Sequence, residues 1–365
     1  MDNQYMLRAI ELAKRGEGYT SPNPLVGAII VKDNRILAEG FHEKYGELHA
    51  ERNAILNLRE DAHGATLYVT LEPCCHHGKQ PPCTEAILEC GISRVVIGSR
   101  DPNPLVAGKG VSFLREHGIE VIEDVLREEC DRLNPIFFHY ITTGRPYITL
   151  KYAMTMDGKI ATTDGESQWI TDVTARNIVH SMRHKYRGIL VGINTVLADD
   201  PMLNCRLSEK RSPVRIICDS GLRLPTDSRI ARTAGEYQTI VACCNPDQAK
   251  MTELQNMGIQ IITTSSCEGH VNMEELFNEL GKMKIDSILV EGGGEINDSL
   301  IRHNLVNQVE VFIGPKIFGG ATAKTPVTGI GIPSIADSCD FILDEVHRLD
   351  QDVQLTYRRK ICSQE

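Results

Sequence analysis

Thr66-Leu67-Tyr68-Val69-Thr70-Leu71-Glu72-Pro73-Cys74-Cys75-His76-His77-Gly78-Lys79-Gln80-Pro81-Pro82-Cys83 is the stretch whose reading decides the fold of the first half. The β-prone run 66–71 predicts a strand, the prolines a loop, and the residues from Cys83 to about Cys90 a helix. Upstream, Gly46-Glu47-Leu48-His49-Ala50-Glu51 leads into a helix through about Arg59. Outward from there, residues 4–15 predict an amphipathic helix on the stripe Tyr5, Met6, Ala9, Ile10, Leu12 and Ala13. Strands follow at 25–31 and 36–41, joined by the hairpin signal Lys32-Asp33-Asn34-Arg35. A strand at 94–99, a helix at 111–117, a strand at 119–122 and a helix over 123–140 complete an alternation expected to place helices on both faces of a mixed sheet.

The chemistry lies in His49-Ala50-Glu51 followed by Pro73-Cys74 and, after eight intervening residues, Cys83. Zinc prefers thiolate and imidazole, and a catalytic zinc keeps three protein ligands so that water takes the fourth position. His49, Cys74 and Cys83 supply those three. Glu51, two residues past the histidine, can stay off the metal and carry protons. Zinc deaminases show H-x-E with P-C-x-x-C, here with a longer Cys–Cys interval. A closed structural site with Cys75, His76 or His77 as fourth ligand is the alternative, but it gives Glu51 no task. Cys90, Cys130, Cys205, Cys218, Cys243, Cys244, Cys267, Cys339 and Cys362 follow no ligand or bridge pattern and read as core or surface thiols.

A length of 365 residues suits two domains, and 41% hydrophobic with 24% charged residues is a folded composition. The polar, Gly- and Pro-bearing segment Thr142–Pro146 marks the boundary, giving domains 1–144 and 145–365. Strands are expected at 147–153, 188–192, 214–219, 239–243, 258–263, 286–291 and 308–313, with helices at 173–186, 247–257, 273–283 and 295–303. The second domain is therefore α/β as well. No apolar run approaches the about 18 residues of a membrane span. The N-terminus lacks the basic and apolar regions of a signal peptide, so the expected compartment is the cytoplasm.

A net charge of −10 argues against a nucleic-acid binder. Residues 1–144 carry 15 basic and 21 acidic side chains, 145–232 carry 14 and 9, and 233–365 carry 10 and 19. A basic stretch inside an acidic chain fits a phosphorylated small molecule, or else a solvated face. No G-x-G-x-x-G follows the first strand of this half. Glu291-Gly292-Gly293-Gly294 does follow an apolar strand and precede a helix beginning near Glu295, a turn in which backbone N–H groups can approach a pyrophosphate. Trp169, the only tryptophan, lies in a polar loop, where a core anchor is the other reading. Arg183, Lys151 and Arg206 make a plausible phosphate clamp.

The first-half residues, with Pro22-Asn23-Pro24-Leu25-Val26-Gly27 and Gly40-Phe41-His42, resemble the deaminase domain of the bifunctional riboflavin-biosynthesis deaminase/reductase family. Leu48 and Gln80 stand where proline and threonine are common in it. Lys151 to Ala161, the Trp169 segment, Thr195 to Arg206, Glu291 to Gly294, and Pro315-Lys316 with Phe318-Gly319-Gly320 resemble its reductase half, with Thr155 and Met156 in place of serine and leucine. The resemblance implies a cytidine-deaminase-like three-layer α/β/α domain followed by a dihydrofolate-reductase-like α/β domain. It implies one zinc per deaminase domain, and Asn23 and His42 lining a pyrimidine pocket. NADPH would contact Ala153, Trp169, Thr195, Asp199, Ser220, Gly293, Gly294, Glu295, Ile296, Asn297, Asp298 and Ser299. A ribosyl-phosphate substrate would contact Lys151, Ser167, Arg183, Leu203, Arg206 and Glu291, with Lys151 or Asp199 assisting proton delivery. Asp199 and Asp200 would repel a 2′-phosphate aimed at them, so the NADPH expectation comes from the resemblance. The expected partners are small molecules, with no nucleic acid or membrane, and a homo-oligomer formed through the reductase domain. The rival classes are a nucleic-acid deaminase, and a zinc-stabilised scaffold attached to a working reductase.

Overall fold

The computed structural model describes residues 1–77, 80–103 and 106–360, in two units, Met1–Gly144 and Arg145–Glu365. Each unit is built on one main sheet.

In the first, the chain runs α1 (Asp2–Ala13), β1 (Gly27–Lys32), β2 (Arg35–Phe41), α2 (Ala50–Leu56), β3 (Thr66–Leu71), α3 (Cys83–Glu89), β4 (Arg94–Ser99), α4 (Lys109–Glu116), β5 (Glu120–Ile122), α5 (Arg127–Asp131) and α6 (Pro135–Thr143). The sheet order is β2-β1-β3-β4-β5, with β1 antiparallel to both neighbours and β3, β4 and β5 parallel. Both faces are apolar because alternate residues point opposite ways. Ala28, Ile30, Leu67, Val69, Val95 and Ile97 pack with Ala50, Ala54, Ile87, Val111, Leu114 and Phe137 of α2, α3, α4 and α6. Ile29, Val31, Tyr68 and Val96 pack with Met6, Ala9, Ile10, Leu12 and Cys130 of α1 and α5. That is the three-layer α/β/α arrangement. A Cβ on Gly40 would lie 2.3 Å from the backbone N of Ala54, so only glycine lets α2 sit this close to β2.

Two expected helices are corrected. The helix of 4–15 starts at Asp2, and its last turn tightens to 3₁₀ over Lys14–Gly16. The helix of 123–140 is two short ones, because Leu126 is left-handed at φ 52° and Pro135, which lacks an N–H, starts a new helix. Asp33 and Asn34, at φ 52° and 59°, make the β1–β2 turn.

The second unit runs β6 (Tyr147–Thr155), α7 (Val173–Lys185), β7 (Gly188–Gly192), α8 (Ile193–Asp199), β8 (Val214–Cys218), α9 (Arg229–Arg232), β9 (Thr239–Cys243), α10 (Gln248–Asn256), β10 (Gln260–Thr263), a hairpin of β11 (Ser266–Cys267) and β12 (His270–Val271), α11 (Met273–Lys282), β13 (Ser287–Val290), α12 (Gly294–Arg302), β14 (Gln308–Gly314), β15 (Phe341–Leu349) and β16 (Asp352–Arg359). Its sheet, β10-β9-β8-β7-β13-β6-β14-β16-β15, is parallel up to β14 and ends in the antiparallel β16 and β15. Leu190, Ile216 and Ile240 face α11 and α12, while Ile189, Ile217 and Val241 face α8 to α10. Sequence periodicity missed β15 and β16, whose residues are largely exposed or half-buried. Cys362 lies outside the described residues. Among the described residues, no helix is long and apolar enough to cross a membrane.

Candidate active sites

In the first unit, β3 delivers Cys74 just beyond its C-terminal end, α2 begins directly after His49, and α3 begins at Cys83. The three converge: His49 Nδ1 lies 3.5 Å from Cys74 Sγ and 3.4 Å from Cys83 Sγ. Tetrahedral zinc about 2.3 Å from sulfur and about 2.0 Å from nitrogen would set sulfur and nitrogen about 3.5 Å apart, so the residues fit that ion. Among the described residues no fourth ligand atom joins the group, and Cys75, His76 and His77 stand outside it. Arg52 of α2 donates to the carbonyls of Pro81 (3.1 Å) and Pro82 (2.7 Å), tying the approach to Cys83 onto the helix that follows His49. Hydrogen bonding from Cys83, opposed by burial and aided by His49, brings the Cys74 thiol down to about 4, the thiolate form a metal needs. Cys83 is pushed the other way by its bond to Cys74 and by burial.

Glu51, one residue into α2, is 4% exposed. Burial pushes its carboxyl up, against a smaller pull down from His49. His42 Nδ1 bonds the Leu48 carbonyl at 2.9 Å, which leaves Nε2 to accept from Asn23 Nδ2 at 3.1 Å. Asn23 is thereby held through its Nδ2, and among the described residues no hydrogen bond engages its carboxamide oxygen. Leu48 contributes only its carbonyl here, and Gln80 bonds the Gly46 carbonyl at 3.3 Å, so neither departure from the family pattern touches the ligands.

In the second unit a cavity of about 870 Å³ opens at the C-terminal ends of β7, β8 and β13, where open α/β sheets place ligands. Thr195, Asp199, Ser220, Gly293, Gly294, Glu295, Ile296, Asp298 and Ser299 line it, as do Ser167 and Glu291. Gly293 caps α12 with backbone N–H groups facing the cavity end of that helix, a cradle suited to a pyrophosphate. Asn297 is buried behind this wall, its amide bonding the Pro326 carbonyl at 2.7 Å.

Other expected contacts stand apart. Leu203 is 4% exposed and packs in the core with Ile189 and Ile193. Ala153 is half-buried in β6 beside Phe312, and Arg206 is exposed. Trp169 is 55% exposed and is no core anchor, with the Arg176 guanidinium 4.5 Å from its ring centre. The three-cation clamp is also revised. Arg183 bonds Glu291 at 2.8 Å and Lys151 approaches it at 3.5 Å, so two cations converge on one carboxylate without Arg206. Burial pushes Glu291 up, but Arg183 and Lys151 outweigh it and hold the carboxyl at about 2. Part of the basic excess of 145–232 is structural, since Arg215 is fully buried and donates to Thr239 and to the carbonyls of Ile230 and Tyr237. Asp157, part of the Lys151 to Ala161 motif but given no role by the sequence, ties Thr155 Oγ1 (2.5 Å) to the Phe318 and Gly319 N–H groups.

Comparison with known proteins gives two family matches: residues 146–355 match the RibD C-terminal domain, and residues 1–99 match the cytidine and deoxycytidylate deaminase zinc-binding region. The riboflavin biosynthesis protein RibD of Actinobacillus pleuropneumoniae is 52% identical over 98% of this chain and 95% of its own length. That of Escherichia coli is 40% identical over 97% and 98%. Among solved structures, Acinetobacter baumannii RibD superposes with a TM-score of 0.89 at 36% identity, covering 99% of both chains. The Thermotoga maritima diaminohydroxyphosphoribosylaminopyrimidine deaminase/5-amino-6-(5-phosphoribosylamino)uracil reductase gives 0.85 at 43%, covering 98% of this chain and 99% of its own.

Proposed function

The chain belongs to the RibD family and is a bifunctional deaminase and reductase of riboflavin biosynthesis, and from that premise we propose how its two units divide the work. The first unit deaminates 2,5-diamino-6-(5-phosphoribosylamino)pyrimidin-4-one. The second reduces the ribosyl group of the product, giving 5-amino-6-(5-phosphoribitylamino)uracil. The observation that carries this reading is the three-ligand cluster with a buried carboxylate beside it and no fourth ligand atom among the described residues.

Zinc held by His49, Cys74 and Cys83 would supply an activated water for hydrolysis. Glu51 carries the proton from that water to the departing amine, and burial favours the protonated form it must pass through. Asn23, oriented by His42, holds the pyrimidine by its free carboxamide oxygen. In the second unit the backbone N–H groups at Gly293 and Gly294 would hold the pyrophosphate of NADPH, which would supply the hydride when bound. Glu291, kept anionic by Arg183 and Lys151, accepts hydrogen bonds from the ribose hydroxyls. Lys151 Nζ, within reach of Glu291, delivers the proton as the sugar ring opens.

The substrates are small molecules, and the acidic first unit speaks against nucleic acid. We place the protein in the cytoplasm, as a homo-oligomer formed through the second unit. Supporting that contact, edge strand β15 exposes Ile342, Leu343 and Val346. One assay tests the division of labour: ammonia release and NADPH consumption followed together on zinc-loaded protein. Ammonia should appear first and NADPH loss should depend on it. NADPH loss from the diamino substrate without ammonia would reverse the proposed order.

A further inference from the structure

The zinc cluster draws its ligands from two separate stretches of the chain, and one side chain joins them. Cys74 and Cys83 are tied to each other: the Cys83 N–H donates to Cys74 Sγ at 3.4 Å, and the Thr84 N–H donates to the Cys74 carbonyl at 3.2 Å. Neither bond reaches His49, which stands directly before α2. His49 has its own anchor. Asn53 of α2 donates to the carbonyls of Phe41 (2.8 Å) and Leu48 (3.4 Å), which fixes the segment leading into the imidazole.

The approach to Cys83 is harder to hold. It is Pro81-Pro82, and neither residue has an N–H, so carbonyl oxygens are the only polar groups through which it can be gripped. Arg52, three residues past His49, supplies both donors. Its Nε bonds the Pro81 carbonyl at 3.1 Å and its Nη2 the Pro82 carbonyl at 2.7 Å. A guanidinium carries its N–H groups in a rigid planar fork, so one side chain spans two successive carbonyls. Among the described residues no carboxylate pairs with Arg52, and the fork is committed to these two oxygens. Cys83 follows directly and is fully buried, so any shift of Pro82 carries the thiol with it.

We propose that Arg52 is a positioning residue for the metal: it holds Cys83 against the helix that follows His49 and so sets the affinity and residence time of zinc. This rests on the reading of the cluster as a zinc site. A ligand already held in place loses less conformational freedom on coordination, and partners behind the ligands of a metal site are worth about 10- to 100-fold in affinity.

Competition for zinc between the full-length protein and a chromophoric chelator tests it without turnover, giving both affinity and release rate. Arg52→Ala should weaken zinc binding by about 10- to 100-fold and speed its release. Arg52→Lys, which keeps the charge and loses the fork, should fall between. Arg94→Ala is the comparison for a loss of stability alone, since it removes an ion pair with Asp2 at 2.8 Å in the same unit. It should lower the thermal midpoint and leave zinc affinity at the wild-type value. Wild-type affinity and release in Arg52→Ala overturn the assignment. So does equal weakening in Arg94→Ala, or full wild-type affinity in Arg52→Lys. A wild type that takes up no zinc instead overturns the reading of the cluster, and the assignment falls with it.

Discussion

Each unit buries a glutamate beside its site, and the two are treated in opposite ways. Glu51 is 4% exposed and has no lysine or arginine paired to it among the described residues, and burial pushes its carboxyl up. Glu291 is comparably enclosed, yet Arg183 at 2.8 Å and Lys151 at 3.5 Å overcome the burial and hold it near 2. A carboxyl that must take and return a proton is left without a fixed counter-ion. One that must remain an anion is clamped by two. The environment, not the residue type, suits one glutamate to the proposed proton transfer and the other to the proposed acceptance of hydrogen bonds.

The contrast can be broken experimentally. Its outermost test is the metal itself: Cys83→Ser should lose zinc and all measurable deamination, while NADPH-dependent reduction of the deaminated intermediate continues. Full zinc occupancy by elemental analysis would remove Cys83 from the ligand set. Next, Glu51→Gln should keep its zinc and lose about 10²- to 10⁴-fold in deamination rate. A wild-type rate would mean that the buried carboxyl carries no proton. Glu291→Gln should cost the reductase about 10- to 100-fold, since the amide leaves Arg183 and Lys151 without their anion and weakens the acceptor. Reduction at full speed would show the clamp to be structural only.

The smallest effect sharpens the comparison by pH. The folded pKa of Glu291 lies near 2, below the ordinary value of about 4.3. Its contribution is therefore complete above that ordinary value and is lost as pH falls through the folded one. Between about pH 5 and pH 2 the wild type should lose about 2–3 kcal/mol more than Glu291→Gln. Urea midpoints across that range measure the difference, and parallel curves would mean the carboxylate is not held down.

The candidate metal ligands are legible in the sequence because their residue types are specific and lie where strands end and helices begin. His49, Cys74 and Cys83 need only the register of β3, α2 and α3 to meet. The second site is legible less completely. Glu291 and the glycines after β13 announce a ligand-facing turn, but nothing in the spacing of Lys151, Arg183 and Arg206 tells which cations converge. Folding brings Lys151 and Arg183 to Glu291 and leaves Arg206 exposed. Leu203 and Arg215 teach the same lesson from the interior, since a leucine in a polar motif enters the core and an arginine in a strand is buried on threonine and carbonyl oxygens. The strands β15 and β16 escape notice because residues at a sheet edge carry little of the apolar alternation that periodicity detects.

By itself the sequence determined two α/β halves and a candidate three-ligand zinc set with a carboxylate two residues from its histidine, because strand and helix periodicities and zinc's preference for thiolate and imidazole are local rules. Only the tertiary structure decided which charges pair, which cation stays available and which side chains face the cavity. Those outcomes depend on distances between residues more than a hundred positions apart in the chain, such as Arg183 and Glu291, and on how much water folding leaves around them.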